Sequence, residues 1–217
     1  MKKSLLFMIT ASLFIFTCPG CNLDEIPDTG AWECGQVFKD PRDGKTYKTI
    51  WIANDGSHDP NKPGKCWMVE SLDFNTANFF SSCYGMADAN CDLYGRVYSK
   101  QTLANVCTNG WHVATADEWK ELFQTYGLTE QLTGNGPIYS GSATPFLPGG
   151  NTKLDFLMGG SCLADDDCSG LGDYVGFWGG TDAFAGFNKS GSAQVWSTAV
   201  IQGASDLRYY VRCVNDN

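Results

Sequence analysis

The residues best suited to chemistry in this sequence lie between positions 165 and 182. An acidic run places the carboxylates of Asp165, Asp166 and Asp167 close to that of Asp173. Carboxylate oxygens are the hard ligands that Ca²⁺ prefers, so Asp165, Asp167 and Asp173 are weak candidate calcium ligands. The run lacks the spacing of an EF-hand loop, and charged runs are commonly solvated loops. Both interpretations stay open, and we predict no firm metal site and no cofactor.

Aromatic residues follow the acidic run and suggest a second kind of site. Tyr174, Phe177 and Trp178 lie among glycines, and Asp182 comes shortly after them. Rigid rings bury apolar area at a low cost in entropy and can stack on a sugar. The sequence therefore predicts a ligand site at Tyr174, Phe177, Trp178 and Asp182, with polysaccharide as the candidate ligand. The competing interpretation is that these rings fill the core.

Catalysis has little support in this sequence. The chain contains two histidines, His58 and His112, and neither lies in a nucleophile-elbow motif. Paired carboxylates occur in any acidic chain and do not single out an acid–base pair. We therefore predict no catalytic residues and expect that the protein is not an enzyme.

The cysteines indicate export and disulfide bonding. Two of the ten, Cys18 and Cys21, precede the folded region, and an even set of eight follows. None of these eight has Cys-x-x-Cys spacing, so disulfides are favoured over a zinc site. Spacing alone leaves many connectivities open. Short separations favour Cys83–Cys91 and Cys162–Cys168, and we pair the remaining four as Cys34–Cys66 and Cys107–Cys213.

Residues 1–20 have the pattern of a lipoprotein-type signal peptide. Lys2 and Lys3 precede an apolar run at 5–16, which is too short to span a membrane. Cys21 follows Gly20 and is the predicted lipidated residue, with Cys18 as the alternative. A plain secretion signal that is cut nearby is a further interpretation.

The segment that follows predicts where the protein is located. Asp24 and Glu25 come soon after Cys21 and resemble a surface-export signal of some Gram-negative bacteria. We expect a lipid anchor at the cell surface or outer membrane, with membrane contact through that lipid alone. The formal net charge of −9 argues against binding nucleic acid or anionic lipid through the overall field.

Short elements surround these candidate residues. Thr115-Ala-Asp-Glu118 is a capping box that opens a helix, and Asp43-Gly44 is a hairpin turn. We predict a loop at 128–150, a strand at 153–158, and a final antiparallel pair at 194–200 and 207–214. Residues 21–35 form a tether, and 36–217 form one domain. Short antiparallel strands with about two short helices predict an α+β fold.

Several separated motifs also occur together in one order. They are Asp40-Pro-Arg-Asp-Gly-Lys-Thr-Tyr-Lys-Thr, Cys66-Trp-Met-Val-Glu-Ser-Leu, Asn90-Cys-Asp-Leu-Tyr-Gly-Arg-Val-Tyr, Cys107-x-x-Gly-Trp-His-Val-x-x-x-x-Glu-Trp and Val211-Arg-Cys-Val. Together they resemble the Fibrobacter succinogenes major paralogous domain over about 36–214. Members of that family are typically exported and often lipid-anchored, without a settled activity.

A more distant resemblance concerns the fold. The stretch from Gly110 to Trp119, with the terminal Arg-Cys-Val, is similar to the C-type-lectin-like fold of sulfatase-modifying (formylglycine-generating) domains. It implies a single C-type-lectin-like domain and supports the Cys107–Cys213 pair. It licenses no activity by itself. We expect a non-enzymatic surface binding or adhesion module with polysaccharide as the candidate ligand. A structural or protein-binding component of a surface assembly is the alternative, and an enzyme of unknown type is the second.

Overall fold

The structure is a computed structural model that describes residues 32–76, 80–108, 110–134, 136–164, 167–198 and 206–216. These residues belong to the compact unit Trp32–Asn217. The predicted signal peptide, with Cys18 and Cys21, lies outside the described residues, as do Asp165 and Asp166. None of the described helices is long and apolar enough to cross a membrane.

Most regular structure in the described residues is β. Sixteen strands form a two-stranded hairpin (β1–β2), a four-stranded antiparallel sheet (β3-β4-β16-β7) and a ten-stranded sheet. The order in the ten-stranded sheet is β5-β6-β15-β10-β12-β13-β14-β9-β8, with β11 paired to β10. The strands are β1 (Phe38–Lys39), β2 (Thr46–Tyr47), β3 (Thr49–Ala53), β4 (Gly64–Met68), β5 (Ser81–Ser82), β6 (Val97–Ser99), β7 (His112–Val113), β8 (Thr129–Thr133), β9 (Gly136–Ser140), β10 (Gly159–Leu163), β11 (Cys168–Leu171), β12 (Tyr174–Trp178), β13 (Ala183–Asn188), β14 (Ser192–Ser197), β15 (Leu207–Tyr210) and β16 (Cys213–Asn215).

Helices are a small part of the described structure. They comprise α1 (Asp88–Tyr94), α2 (Ala116–Thr125) and two 3₁₀ helices (Tyr84–Met86 and Lys100–Asn105). The predicted α+β, C-type-lectin-like domain with about two short helices is therefore wrong, because the large ten-stranded sheet dominates. The glycine-rich segments that suggested loops pair with one another as strands, and this pairing shows only in three dimensions.

The predicted capping box of α2 is confirmed. The backbone N–H of Glu118 donates to Thr115 Oγ1 at 3.3 Å, and the N–H of Thr115 donates to Glu118 Oε2 at 2.7 Å. Trp119, Leu122 and Phe123 on one face of α2 are buried. The cap and this apolar face together hold the helix against the core.

Three predicted segments differ from the structure. The loop predicted at 128–150 contains β8 and β9, which pair with each other. The strand predicted at 153–158 is absent from the described structure, because Lys153 (φ 56°) and Asp155 (φ 44°) have left-handed backbone. The predicted final pair is also wrong, since β14 pairs with β13 and β9 while β15 pairs with β6, β10 and β12.

Four disulfides stabilise the described unit, and they are the four pairs predicted above. They are Cys34–Cys66, Cys83–Cys91, Cys107–Cys213 and Cys162–Cys168. The largest sequence separation, 106 residues, is that of Cys107–Cys213. This bond joins the chain before β7 to the first residue of β16.

Core side chains cover both faces of strand β12 in the ten-stranded sheet. Val175 and Phe177 of β12 belong to one buried cluster, which includes Trp119 of α2. Trp178 of the same strand belongs to a second cluster, together with Met68 of the four-stranded sheet. Alternation along β12 therefore sends successive side chains into two cores, and neither face of this strand is left to solvent.

Candidate functional site

The predicted aromatic site is not present at the surface. Phe177 and Trp178 are both 0% exposed, so neither ring can stack on a sugar. Trp178 Nε1 donates to the carbonyl of Tyr98 at 2.7 Å, and the hydroxyl of partly buried Tyr174 bonds the side chain of Gln194. Asp182 is exposed and pairs with Lys100 at 3.0 Å. The site prediction for Phe177 and Trp178 is wrong because β12 is covered on both faces.

The acidic run does not form a group of calcium ligands in the described residues. Asp173 pairs with Lys189, and Asp167 is exposed. Among the described side chains, the group close enough to share a metal ion is His112, Glu118 and Asp216. Asp165 lies outside the described residues, so the calcium hypothesis stays a prediction.

The His112–Glu118–Asp216 cluster already contains a cation of its own. Lys65 Nζ lies 3.2 Å from Glu118 Oε1 and also pairs with Asp216. His112 Nε2 lies 2.9 Å from Glu118 Oε1. The ammonium of Lys65 therefore supplies the positive charge between the two carboxylates, and the cluster does not require a metal.

Electrostatics in this cluster favour the charged forms. Burial opposes ionisation of Glu118, but bonds from His112, Thr115 and Lys65 outweigh burial and lower its pKa to about 2. The bond to Glu118 raises the pKa of His112. The adjoining cavity, lined by Lys65 and Glu118, measures about 20 Å³, which is room for about one water molecule. The contacts within this cluster therefore stabilise the folded state.

A groove of about 610 Å³ is the better candidate site. Its volume is typical of small-ligand sites. Five separate parts of the chain form its wall, from the β1–β2 turn to the last segment before β16. The lining residues are Gly44–Lys48, Val69, Glu70, Ser71, Asp73, Cys91–Gly95, Pro148, Asp155, Leu157 and Arg212. A side recess of about 470 Å³ shares Lys48, Val69 and Asp155 with this groove.

Arg212 is the buried cation of the groove wall. It lies where the chain passes from β15 in the ten-stranded sheet to β16 in the four-stranded sheet, and it is 2% exposed. Its guanidinium carbon lies 5.4 Å from the ring centres of both Phe156 and Phe177. Nη1 donates to the carbonyl of Met68 at 3.2 Å. The two rings and this carbonyl position the guanidinium between the sheets.

Among the described residues, no carboxylate contacts the guanidinium of Arg212 to balance its charge. Its Nε is buried and meets no hydrogen-bond acceptor in the described part of the chain. Burial lowers the pKa of Arg212 to about 9, against the influence of Glu70 and Asp155, so it is protonated at pH 7. A buried charge without a partner costs several kcal/mol. Arg212 is therefore the part of the groove that would gain most from a ligand.

The other charges of the groove are largely paired with one another. Asp73 pairs with Lys45 and, at 3.1 Å, with Arg96. Lys48 Nζ lies 3.7 Å from Glu70. Lys45 and Lys48 therefore each have a carboxylate partner, whereas Arg212, which also lines the groove, has none among the described residues.

Strained backbone borders the groove and its side recess. Asp155 lines both, and Lys153 lines the recess, yet each has a positive φ that residues other than glycine rarely adopt. Asp155 is held there by a bond from the N–H of Gly149 to its Oδ1 at 2.9 Å. Such strain is found preferentially at ligand sites. The sequence did not indicate this site, because only the Val211-Arg-Cys-Val motif pointed to Arg212 and nothing in that motif shows that Arg212 is buried.

One comparison with known proteins is informative. The family model described as the Fibrobacter succinogenes major domain matches residues 49–215. No curated protein and no solved structure matches the chain. The matched range covers most of the residues that line the groove, including Glu70, Asp92 and Arg212.

Proposed function

We propose that this chain, which belongs to the family of the Fibrobacter succinogenes major domain, is an exported surface protein that binds an extracellular ligand in the groove. The ligand is a polysaccharide, and the protein acts as a binding or adhesion module without catalysing a reaction. It is anchored through a lipid on Cys21 or, alternatively, on Cys18. Membrane contact is through that lipid alone, and the protein does not bind nucleic acid.

One observation carries the binding proposal. The groove has the volume of a ligand site, and its wall contains the guanidinium of Arg212 without a carboxylate in contact. Arginine offers only hydrogen-bond donors, whereas Asp92 and Asp155 in the same wall offer only acceptors when ionised. The hydroxyl groups of a sugar chain can accept hydrogen bonds from the arginine and donate hydrogen bonds to the aspartates. These groups support a carbohydrate ligand in the groove, rather than at Tyr174, Phe177 and Trp178.

The proposal of a module without catalysis is supported by how its reactive residues are used. The eight cysteines of the described unit are joined in four disulfides and offer no thiolate nucleophile. His112 bonds Glu118, and His58 bonds the carbonyls of Trp51 and Asn151 at 2.8 Å each. Both imidazoles therefore have structural contacts.

A binding screen tests the groove. The purified full chain is titrated with soluble polysaccharides and mixed with insoluble ones, with and without Ca²⁺. We expect the double variant Lys48→Ala/Asp92→Ala to bind any polysaccharide found in the screen about ten- to a hundredfold more weakly, because the side chains of Lys48 and Asp92 both line the groove. Lys120→Ala/Asp117→Ala is the matched control, since it removes one cation and one anion from helix α2.

The outcome separates the groove from other surfaces. Equal losses in both double variants, or no loss in either, would reject the groove as the binding site. A requirement for Ca²⁺ would return attention to Asp165, Asp167 and Asp173.

Export and anchoring are tested on the native protein. Mass spectrometry of the amino-terminal peptide is expected to show a mature chain that begins at a lipid-modified Cys21. A lipid on Cys18 would select the alternative, and an unmodified amino terminus would reject the anchor. Protease treatment of intact cells then distinguishes a surface protein from one that faces the periplasm.

Protein binding is the second candidate function, and one observation favours it. Strand β8 forms an edge of the ten-stranded sheet, and all five of its residues are exposed. Leu132 on this strand is 82% exposed. Exposed strand edges can pair with another chain. If this edge joins a surface assembly, Leu132→Lys is expected to release the protein from that assembly without weakening polysaccharide binding.

A further inference from the structure

We infer that the ligand of the groove carries a carboxylate group, that Arg212 is the residue that binds this group, and that the polysaccharide is therefore built from acidic sugars. This inference rests on the proposed function and adds the chemical class of the ligand. It depends on the contacts of Arg212, on the pairing of the other charges and on the acceptors that remain.

The contacts of Arg212 leave hydrogen-bonding capacity unused. Its guanidinium carries five N–H donors in a planar fork that fits a carboxylate. Among the described residues, Nη1 donates a hydrogen bond to the carbonyl of Met68, whereas Nε has no hydrogen-bond acceptor. The flanking rings of Phe156 and Phe177 attract the cation but accept no ordinary hydrogen bond. A carboxylate neutralises this charge and accepts hydrogen bonds from two of its N–H donors at once.

Lys45 and Lys48 are expected to bind the ligand carboxylate more weakly than Arg212. Lys45 pairs with Asp73, and Lys48 lies near Glu70. The Lys48 side chain is 74% exposed, and its charge is therefore hydrated. Arg212 is 2% exposed and has already lost its hydration shell. An electrostatic contact is stronger where water is excluded, so Arg212 is the preferred partner of an anion.

The acceptors in the groove indicate that the anion is part of a sugar. Asp92 and Asp155 line the same wall, and an ionised carboxylate offers hydrogen-bond acceptors only. Asp155 Oδ1 accepts from the N–H of Gly149, and the hydroxyl groups of a sugar supply donors for the other carboxylate acceptors of this wall. A sugar acid has both hydroxyl donors for Asp92 and Asp155 and a carboxylate for Arg212. A peptide with a free carboxyl end offers the carboxylate but far fewer donors close to it.

The net charge of the protein predicts how salt affects binding at Arg212. The net charge of −9 repels a polyanion at long range, so binding must come from short-range contact. Salt screens the long-range repulsion but has less effect on a desolvated pair. We therefore expect affinity for an acidic polysaccharide to hold or to rise between about 20 and about 200 mM salt. Attraction to exposed lysines would instead weaken over the same range.

The experiment uses the full chain and three matched probes. They are an oligosaccharide of galacturonic acid, the same oligosaccharide with its carboxylates methyl-esterified, and a neutral galactose oligosaccharide of equal length. We expect the acid to bind about ten- to a hundredfold more tightly than its ester, because only the acid forms the charged contact. Arg212→Gln is expected to abolish this preference, and Arg212→Lys to retain part of it.

Controls keep a loss of binding distinct from a loss of folding. Lys120→Gln removes one positive charge from an exposed position on α2 and is expected to keep the full preference for the acid. The melting temperature of each variant is measured first. If Arg212→Gln does not fold, Arg212→Lys and the comparison of acid with ester in the unchanged chain still decide the question.

Each outcome has a defined meaning. Equal binding of the acid and its ester, or no binding of the acid, would overturn the inference. If the neutral probe binds and Lys48→Ala/Asp92→Ala weakens it, the proposed function stands while the inference fails. A peptide that binds through its free carboxyl end and not as its amide, with all sugars inactive, would overturn both and favour a protein partner.

Discussion

Trp178 and Arg212 are both nearly inaccessible to solvent, at 0% and 2%, yet their surroundings differ. The indole of Trp178 packs in a core cluster, and its one polar atom donates to Tyr98. The guanidinium of Arg212 lines a groove, and its Nε has no acceptor among the described residues. Burial with satisfied polar atoms indicates a structural role, whereas an unsatisfied charge beside a cavity indicates a ligand site.

Trp178→Ala tests the burial of the predicted aromatic site. We expect the free energy of unfolding to fall by about 3–5 kcal/mol, because the substitution leaves a cavity in the core. Asp182→Ala is the control, since that exposed residue makes a surface ion pair and should change stability by less than about 1 kcal/mol. Urea denaturation measures both. A stable Trp178→Ala protein would contradict the buried position.

The pH dependence of stability is a second prediction for single residues. The pKa of Glu118 is lowered to about 2 in the folded state from 4.5, so its contribution exists above about pH 4.5 and is lost as pH falls towards 2. The pKa of His112 is raised from 6.5, so its contribution exists below pH 6.5 and is lost as pH rises through the folded value. Urea denaturation at several pH values should therefore show the largest contribution of this pair between about pH 4.5 and 6.5.

Substitutions of Glu118 and His112 test whether these two residues cause the pH dependence of stability. Glu118→Gln should remove the acid limb and most of the limb above pH 6.5, because the bond to Glu118 raises the pKa of His112. His112→Gln should remove the limb above pH 6.5 and keep part of the acid limb, because Thr115 and Lys65 still bond Glu118. If both limbs persist in the double variant, other groups cause them.

At the level of elements, the segment before β10 shows how tertiary contacts override local pattern. Leu154, Phe156 and Met158 alternate with other residues in the sequence, and this alternation predicted a strand. Leu154 and Phe156 are indeed buried. The intervening Lys153 and Asp155 instead have positive φ, and the N–H of Phe156 donates to the carbonyl of Phe146 at 2.7 Å. The segment is therefore irregular, and the contacts that hold it border the groove.

Lys153 tests the strain in this segment. Lys153→Gly should be more stable than Lys153→Ala by about 1 kcal/mol, because only glycine adopts the positive φ without a steric cost. Thermal unfolding of the two variants measures the difference, and the lost lysine charge is common to both. Equal stability would mean that the backbone at this position is not left-handed in solution.

At the level of the whole molecule, two disulfides join distant parts of the described unit to its four-stranded sheet: Cys34 bonds Cys66 of β4, and Cys107 bonds Cys213 of β16. On the chain-entropy argument, a bond that closes a long loop stabilises more than one that closes a short loop. The sequence separations are 106 residues for Cys107–Cys213 and 6 residues for Cys162–Cys168.

Replacing each pair with alanine tests this ranking. We expect a loss of about 5 kcal/mol for Cys107→Ala/Cys213→Ala and about 2 kcal/mol for Cys162→Ala/Cys168→Ala. Urea denaturation of the oxidised proteins is the measurement. If the short-loop variant loses more stability than the long-loop variant, strain or packing rather than loop entropy dominates.

The sequence alone determined the features that depend on neighbouring residues and on composition. The capping box joins residues three positions apart, and the Asp43-Gly44 turn joins β1 to β2. The even set of eight cysteines indicated four disulfides. Ordered motifs identified the family, and the family model bears this out. Each of these signals is local or is a count, so no knowledge of the sheets was needed.

Only the tertiary structure decided which candidate residues meet solvent. A periodic pattern marks the apolar faces of a strand but does not show that both faces are covered, as they are in β12. It also cannot show that residues as distant as Lys45, Asp92, Asp155 and Arg212 line one groove. Arg212 appeared in the sequence as part of a terminal motif. The passage of the chain between two sheets buries its charge beside the groove, where the proposed ligand would bind.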